Sequence, residues 1–176
     1  MKFCIDLGVI GKWPIVDLSA ADFERLKKTA RGLSVLVGIE EKFAMLVGNY
    51  VEYENELLRL ALELMVWHSV DYGAIHDARS LVNRRLANLL TMARLYTDQV
   101  KHDVSRLFGS DAAQLSAVKE SFQTQYDNSL GFRVMDAVRN SMQHRDLPIT
   151  SMSYPSTWED RGYGRLLRHQ AQALIS

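Results

Sequence analysis

The sequence predicts an all-α protein, an antiparallel bundle of four to five helices with short extended segments at both termini. Two observations lead to this prediction. Apolar residues recur at the i, i+3, i+4 spacing of an amphipathic helix through several long segments. Residues that favour turns and caps interrupt this pattern around positions 71–73, 109–111 and 128–129. Long helices packed through their apolar stripes are the simplest arrangement that satisfies both.

The first 67 residues predict an extended arm and two helices. Residues 1–16 hold apolar side chains among glycines and a proline, which predicts a short strand or arm. Ser19 and Asp22 match a capping box, so a first helix is expected over about 20–37. A second helix, about 40–69, has the clearest periodicity, and its stripe is predicted to face the core. The stripe comprises Phe43, Leu46, Val47, Tyr50, Val51, Glu54, Leu57, Leu58, Ala61, Leu62 and Met65.

Three further helices are predicted after the break at 71–73. The third covers about 76–108 and is expected to end at Gly109. Ser110-Asp111 is predicted to cap a fourth helix over about 112–127, and a fifth covers 130–144. Residues 149–154 are predicted to be extended. Residues 149–176 are therefore expected to form a short extended or helical tail. From Trp158 onward this tail carries the basic stripe Arg161, Arg165 and Arg168. The stripe is either an RNA contact or the solvated face of a short helix.

Composition predicts one domain over residues 1–176, with no general affinity for polyanions. The chain has 176 residues and 47% hydrophobic residues, enough to bury a core. Lys plus Arg equals Asp plus Glu at 21 each, so any RNA contact must come from a local basic cluster.

Cysteine content and hydropathy predict a cytoplasmic protein. Cys4 is the only cysteine, which excludes an intrachain disulfide and a cysteine-based zinc site and favours a reducing compartment. The N-terminus lacks the pattern of a signal peptide, and no apolar run approaches the roughly 18 residues of a membrane span. We therefore expect no membrane partner.

The segment Arg139-Asn140-Ser141-Met142-Gln143-His144 is the strongest functional signal in the chain. Arginine is a permanent cation that grips phosphate, and histidine titrates near neutral pH. Together they could cleave a phosphodiester without a metal, with Arg139 neutralising phosphoryl charge and His144 moving a proton. Asn140 would orient the imidazole or the phosphate. Because one histidine cannot easily be both acid and base, the segment also predicts a homodimer.

An ordinary structural interpretation competes with this hypothesis. Arginine and histidine in the last turn of a helix complement the helix dipole, and their spacing is common by chance. Arg139 and His144 are five residues apart, so they lie about 140° apart around a regular helix. They can converge only if the helix loosens near its end, which Pro148 favours, or if a second subunit completes the site.

The pair Arg139-Asn140 followed by His144, late in the last long helix of an all-α chain, resembles the signature of the HEPN superfamily. More narrowly, Val138-Arg139-Asn140-x-x-Gln143-His144-x-x-Leu147-Pro148-Ile149 looks like a group of uncharacterised bacterial HEPN-like proteins. Phe132-Arg133 and the segment Asn83-Arg84-Arg85-Leu86-x-Asn88-Leu89-Leu90, which leads to Arg94-x-Tyr96-x-Asp98, add to the resemblance. It covers about residues 40–154.

This resemblance implies a metal-independent endoribonuclease of the toxin, phage-defence or stress-response kind, with a composite active site at a homodimer interface. Arg139 and His144 match the signature pair, and Asn140 matches its polar neighbour. Many HEPN-like domains lack nuclease activity, so the alternative is a non-catalytic module that binds nucleotide, RNA or protein. An antitoxin or another protein partner fits either case. Chains of this group continue beyond the Leu-Pro-Ile segment, so we expect a short or truncated member.

Three more residues are predicted to bind substrate. Arg84 and Asn88 lie four residues apart on one helix face and could flank the catalytic pair, as could Arg133. A solvated face with intrahelical pairs such as Arg94–Asp98 is the competing interpretation. Asn83 and Asn88 call for a packing or site explanation, because amides are mildly unfavourable inside helices.

No metal site and no cofactor are predicted. Glu52, Glu54 and Glu56 have no Glu-x-x-His partner segment of the kind that carboxylate-bridged metal bundles use. The chain also has no His-Glu-x-x-His motif and no glycine-rich phosphate loop. A plain helical scaffold protein remains the third interpretation.

Overall fold

The computed structural model describes residues 3–6, 15–67 and 71–175. It confirms the predicted mostly-α bundle with short extended termini. By its contacts the chain divides into two units, Met1–Glu41 and Lys42–Ser176. Of the predicted arm, residues 1–2 and 7–14 lie outside the described residues, as does the predicted end of the second helix at 68–69.

The N-terminal unit holds a two-stranded antiparallel sheet and the start of a helix. Strand β1 (Phe3–Ile5) pairs with β2 (Val16–Leu18), and helix α1 (Ala20–Trp67) begins directly after them. The predicted capping box is confirmed, since the Asp22 amide donates to Ser19 Oγ at 3.1 Å and the Ser19 hydroxyl donates to Asp22 Oδ2 at 2.7 Å.

Helix α1 corrects the prediction of two separate helices over 20–37 and 40–69. The helix continues from Ala20 to Trp67 through Gly38. Glycine inside a helix costs about 1 kcal/mol, but it keeps its backbone N–H and so does not break the hydrogen-bond ladder as proline would. The described residues therefore contain four helices, within the predicted range.

The C-terminal unit packs the later part of α1 against α2 (Tyr72–Phe108), α3 (Ala113–Asn128) and α4 (Leu130–His144). Lys42 bonds Asp103 at 2.6 Å, and Arg85 bonds Glu52 farther along. These pairs show that α1 and α2 run antiparallel. The predicted stop at Gly109 is confirmed, with φ of 102° at a position where glycine is favoured.

Two predicted local features around these helices need correction or refinement. Ser110-Asp111 does not cap α3, whose N-cap residue is Ala112 without a side-chain hydrogen bond. By contrast, Ser129 caps α4 by accepting a hydrogen bond from the Phe132 amide at 3.2 Å. The last helix therefore begins at a defined cap and carries the Arg139–His144 segment on its final turns.

The predicted core stripe of α1 is largely wrong. The core cluster takes Leu60 from α1 and packs Tyr53 and Leu57 against it, together with Val82, Leu86 and Leu90 of α2. The packed face of α1 is therefore rotated from the predicted stripe, and most stripe members are exposed. Seven large stripe residues have 42–61% of their surface exposed: Phe43, Val47, Tyr50, Val51, Leu58, Leu62 and Met65.

The C-terminal segment forms strands, so the helical alternative for the tail is wrong. Strand β3 (Ile149–Ser153) pairs antiparallel with β6 (Gln172–Ile175), and the hairpin of β4 (Ser156–Asp160) and β5 (Arg165–His169) lies between them in sequence. Gly162, with φ of +74°, supplies the backbone conformation for the hairpin turn. Strand geometry also places Arg165 and Arg168 on opposite faces, which abolishes the helical basic stripe.

Asn83 fastens this segment to the bundle. Its Nδ2 donates to the Ile149 carbonyl at 2.9 Å, and its Oδ1 accepts from the Ile149 amide at 3.0 Å. Both residues are almost fully buried, with 2% and 1% of their surfaces exposed. The register of β3 with β6 shifts next to this point, between Ile149 and Ser151. The amide predicted to need a packing explanation therefore has one.

The β4–β5 hairpin is expected to be less stable in acid. Hydrogen bonds from Arg168 and then Arg161 lower the pKa of the exposed Glu159 carboxyl from its ordinary value of 4.5. A lowered folded-state pKa means that the stabilisation is present above pH 4.5 and is lost as pH falls through the folded value. Amide NMR shifts of β4 and β5 should report this loss as a transition below pH 4.5. The transition should be absent in Glu159→Gln. An identical acid transition in that variant would assign it to another group.

Candidate functional site

The Arg139–His144 segment occupies the last two turns of α4. The Arg139 side chain is mostly buried, with 17% of its surface exposed, whereas Asn140 and His144 are exposed. The Arg139 guanidinium donates to Asn140 Oδ1 and to Gln143 Oε1, each at 3.0 Å, and lies 4.0 Å from Asp136. Two amides thus hold the planar guanidinium in a fixed orientation with one carboxylate at the edge of ion-pair distance.

His144 is the final residue of α4, and its imidazole has no hydrogen bond or ion pair with any residue that the structure describes. The chain next turns out of helical geometry at Arg145, whose amide donates to the Ser141 carbonyl at 2.8 Å. The chain thus holds Arg139 firmly and presents His144 to solvent.

Arg139 lines a groove of about 800 Å³ between α2, α3 and α4, with Leu46 of α1 at one side. The volume is in the range of sites for small molecules or for one residue of a larger ligand. Four aromatic side chains form much of its wall: Tyr96, Phe122, Tyr126 and Phe132. Tyr96 and Phe122 meet edge to face with centroids 6.4 Å apart, and Tyr126 and Phe132 do so at 5.9 Å. Neither Asn140 nor His144 lines this groove.

The groove is locally basic although the chain has no net charge. Its lining includes four cations, Arg94, Lys101, Lys119 and Arg139, and one carboxylate, Asp136. Arg94 is paired with Asp98 at 2.7 Å, as the sequence predicted, but Lys101 and Lys119 have no carboxylate partner among the described residues. The Lys101 ammonium lies 5.3 Å from the centre of the Phe122 ring. Positive charge beside aromatic faces is an arrangement that suits an aromatic anion.

The three residues predicted to bind substrate are not gathered at this groove. Arg84 and Asn88 are exposed on α2 and do not line it. The Arg133 guanidinium donates to the backbone carbonyls of Tyr126 and Asp127. It therefore satisfies carbonyls at the C-terminal end of α3, where a cation is favoured by the helix dipole.

Sequence reasoning missed the groove residues on α3. Lys119, Phe122, Gln123 and Tyr126 follow the i, i+3, i+4, i+7 spacing of one helix face. That stripe mixes a cation, an amide and two aromatic rings, whereas a core-facing stripe would be aliphatic. This mixed composition is the signal in the sequence that indicates a binding surface on α3.

Known proteins give no further guide to the site. Comparisons with protein-family models, with curated proteins and with solved structures find no match for the chain. Within residues 3–6, 15–67 and 71–175, no three side chains of His, Cys, Asp or Glu are grouped as metal ligands would be. None of the helices in those ranges has the length and hydropathy needed to cross a membrane.

Proposed function

We propose that this protein is a HEPN-like endoribonuclease that cleaves RNA without a metal at a composite site of a homodimer. The observation that carries the proposal is the arrangement at the end of α4. Asn140 and Gln143 hold the Arg139 guanidinium, which would bind the phosphate, and His144 is exposed and has no partner among the residues that the structure describes. A fixed guanidinium and an available imidazole are the two groups that this chemistry needs.

The proposed step is an internal transesterification. A neutral imidazole takes the proton of a ribose 2′-hydroxyl, whose oxygen attacks the adjacent phosphorus. The bond from phosphorus to the 5′ oxygen breaks, and a protonated imidazole gives that oxygen a proton. The products are a 2′,3′-cyclic phosphate and a 5′-hydroxyl. Arg139 stabilises the charge that grows on the phosphoryl oxygens, and the two protons moved explain why two histidines are needed.

The exposed face of α1 supports the dimer. Its stripe from Phe43 to Met65 leaves seven large apolar side chains open to solvent on either side of Glu54, and exposed apolar surface of this kind marks protein interfaces. A two-fold contact between identical helices would bury this stripe on both protomers, and the composite site requires the same contact to bring the second His144 to Arg139.

The dimer is tested with charge at the centre of that face. Leu58→Glu, at a position 61% exposed, is expected to leave the helix folded while converting dimer to monomer in sedimentation velocity and reducing RNA cleavage. Lys28→Glu, at an exposed position of α1 outside the stripe, is the control and should remain dimeric. A monomeric wild-type protein, or an active monomeric variant, would contradict the composite site.

Cleavage itself is tested with a labelled RNA in EDTA. The wild-type protein should cleave it, and both His144→Ala and Arg139→Ala should not. The surface variant His102→Ala, on an exposed α2 residue, should cleave like wild type. Equal activity in all four proteins would identify a contaminant, and loss of wild-type activity in EDTA would show a metal enzyme instead.

A non-catalytic binding module is the second candidate, and one observation favours it. Arg139 lines the aromatic groove while His144 does not. Within one chain, Arg139 is therefore placed to contact a ligand in the groove and not a ligand held by His144. Under this alternative, RNA or a nucleotide binds without being cleaved, and an antitoxin or other protein partner could use the same surface. RNA binding that survives in His144→Ala, with no cleavage by wild type, would select it.

A further inference from the structure

We propose that the groove between α2, α3 and α4 receives an unpaired base of RNA, so that the protein selects single-stranded over double-stranded substrates. The inference deepens the proposed function, because it takes RNA as the ligand and names the class of RNA that the site accepts. It concerns residues that lie outside the Arg139–His144 segment except for Arg139 itself, which belongs to both.

The wall of the groove supplies the first argument. Phe122 meets Tyr96 edge to face, and the Lys101 ammonium lies 5.3 Å from the centre of the Phe122 ring. Tyr126 and Phe132 form a second aromatic pair. Aromatic faces bind nucleobases by stacking, with little dependence on which base is present. A base within a duplex is already stacked and paired, so it cannot enter without being extruded.

Charge supplies the second argument. The cations outnumber the carboxylate four to one on the lining of the groove, in a chain with equal numbers of acidic and basic residues overall. Lys101 and Lys119 are not neutralised by a carboxylate among the described residues, so they remain available for phosphate. A purely apolar ligand would gain nothing from these lysines, whereas a nucleotide uses both the rings and the charge.

Arg139 connects the groove to the proposed reaction. Its guanidinium lies on the groove wall and also carries the hydrogen bonds to Asn140 and Gln143 that mark the end of α4. A base seated against Phe122 would bring its own phosphate near Arg139. Recognition of an unpaired base and stabilisation of the phosphoryl group would then share one residue.

The test is equilibrium binding measured by fluorescence anisotropy in EDTA, with all variants built on His144→Ala so that cleavage cannot interfere. The probes are a labelled single-stranded oligoribonucleotide and the same strand annealed to its complement. The single strand is expected to bind at least about tenfold more tightly than the duplex, and Phe122→Leu should weaken it by about tenfold. Phe108→Leu, at an exposed residue outside the groove, is the matched control.

Charge is tested separately with Lys119→Ala, at an exposed position that should not affect folding. For this variant, the slope of log K for the single-stranded probe against log salt concentration should be shallower than that of the parent by about 0.7. This is the change expected when one phosphate contact to a single strand is lost. Lys28→Ala, at an exposed lysine that does not line the groove, should keep the wild-type slope.

Failure of this inference can be told apart from failure of the proposed function. Equal affinity for both probes, or unchanged binding in both groove variants, would overturn the single-strand site even if the wild-type protein cleaves RNA. Groove-dependent binding of the single strand by a protein that does not cleave would uphold the site and overturn the nuclease.

Discussion

RNA cleavage is expected to fall by about a thousandfold in His144→Ala and by about a hundredfold in Arg139→Lys. The first figure is the middle of the range for losing a general acid or base. The second reflects the geometry of Arg139, whose two terminal nitrogens donate separately to Asn140 and Gln143. A lysine ammonium keeps the charge but cannot span both amides, so phosphate would meet a mobile cation. Single-turnover rates on a labelled RNA give both numbers.

The double variant shows whether the two residues act in the same step. If they do, Arg139→Lys combined with His144→Ala should cleave about as slowly as His144→Ala alone, because a site that has lost its proton transfer gains little from charge stabilisation. Fully multiplied losses would instead assign the residues to separate steps, such as binding and chemistry. His102→Ala and Arg25→Ala, two exposed variants outside the segment, control for effects of surface charge.

The helical architecture could be predicted because local signals agreed with it. The end of α2 at Gly109 and the span of α4 over 130–144 followed from a glycine at the end of a helical pattern, a break at Asn128-Ser129 and clear apolar periodicity. The division of α1 into two helices was wrong because Gly38 lowers helix propensity without removing a hydrogen bond. Propensity alone could not show whether the helix would continue through this glycine.

The packed face of α1 could not be read from its sequence. Apolar residues cover more than half of its circumference over 42–67, so periodicity allows more than one choice of core face. The choice depends on where α2 places Asp103, which pairs with Lys42, and Arg85, which pairs with Glu52. These are long-range partners, and a local pattern contains no information about them. The stripe left outside is the surface that the proposed dimer uses.

Only part of the candidate site could likewise be predicted from the sequence. The Arg139–His144 segment was visible because its chemistry lies within six consecutive residues. The groove was not, because its cations and rings come from α2, α3 and α4 and meet only in the folded chain. Arg133 was predicted to bind substrate because it lies near Arg139 in the sequence. Its guanidinium instead donates hydrogen bonds to the carbonyls of Tyr126 and Asp127.

Asn83→Ala is expected to lower the free energy of unfolding by about 3–4 kcal/mol. The substitution leaves the buried amide and carbonyl of Ile149 without partners, and each unsatisfied buried group costs about 1–3 kcal/mol. A domain of ordinary stability has only about 5–15 kcal/mol in total, so this one side chain accounts for a large share. Urea denaturation followed by circular dichroism measures the change.

Asn83→Asp separates the hydrogen bonds from the shape of the side chain. It keeps the volume and the acceptor of Asn83, but it removes the donor to the Ile149 carbonyl and places a carboxyl at a position 2% exposed. Asn83→Asp should therefore destabilise the protein at least as much as Asn83→Ala at neutral pH, and less in acid, where the carboxyl is neutral. Asn88→Ala, on the exposed face of the same helix, should change stability by less than about 0.5 kcal/mol. A loss below 1 kcal/mol in both Asn83 variants would mean that packing of Ile149 and Met152, rather than the amide pair, holds β3 against α2.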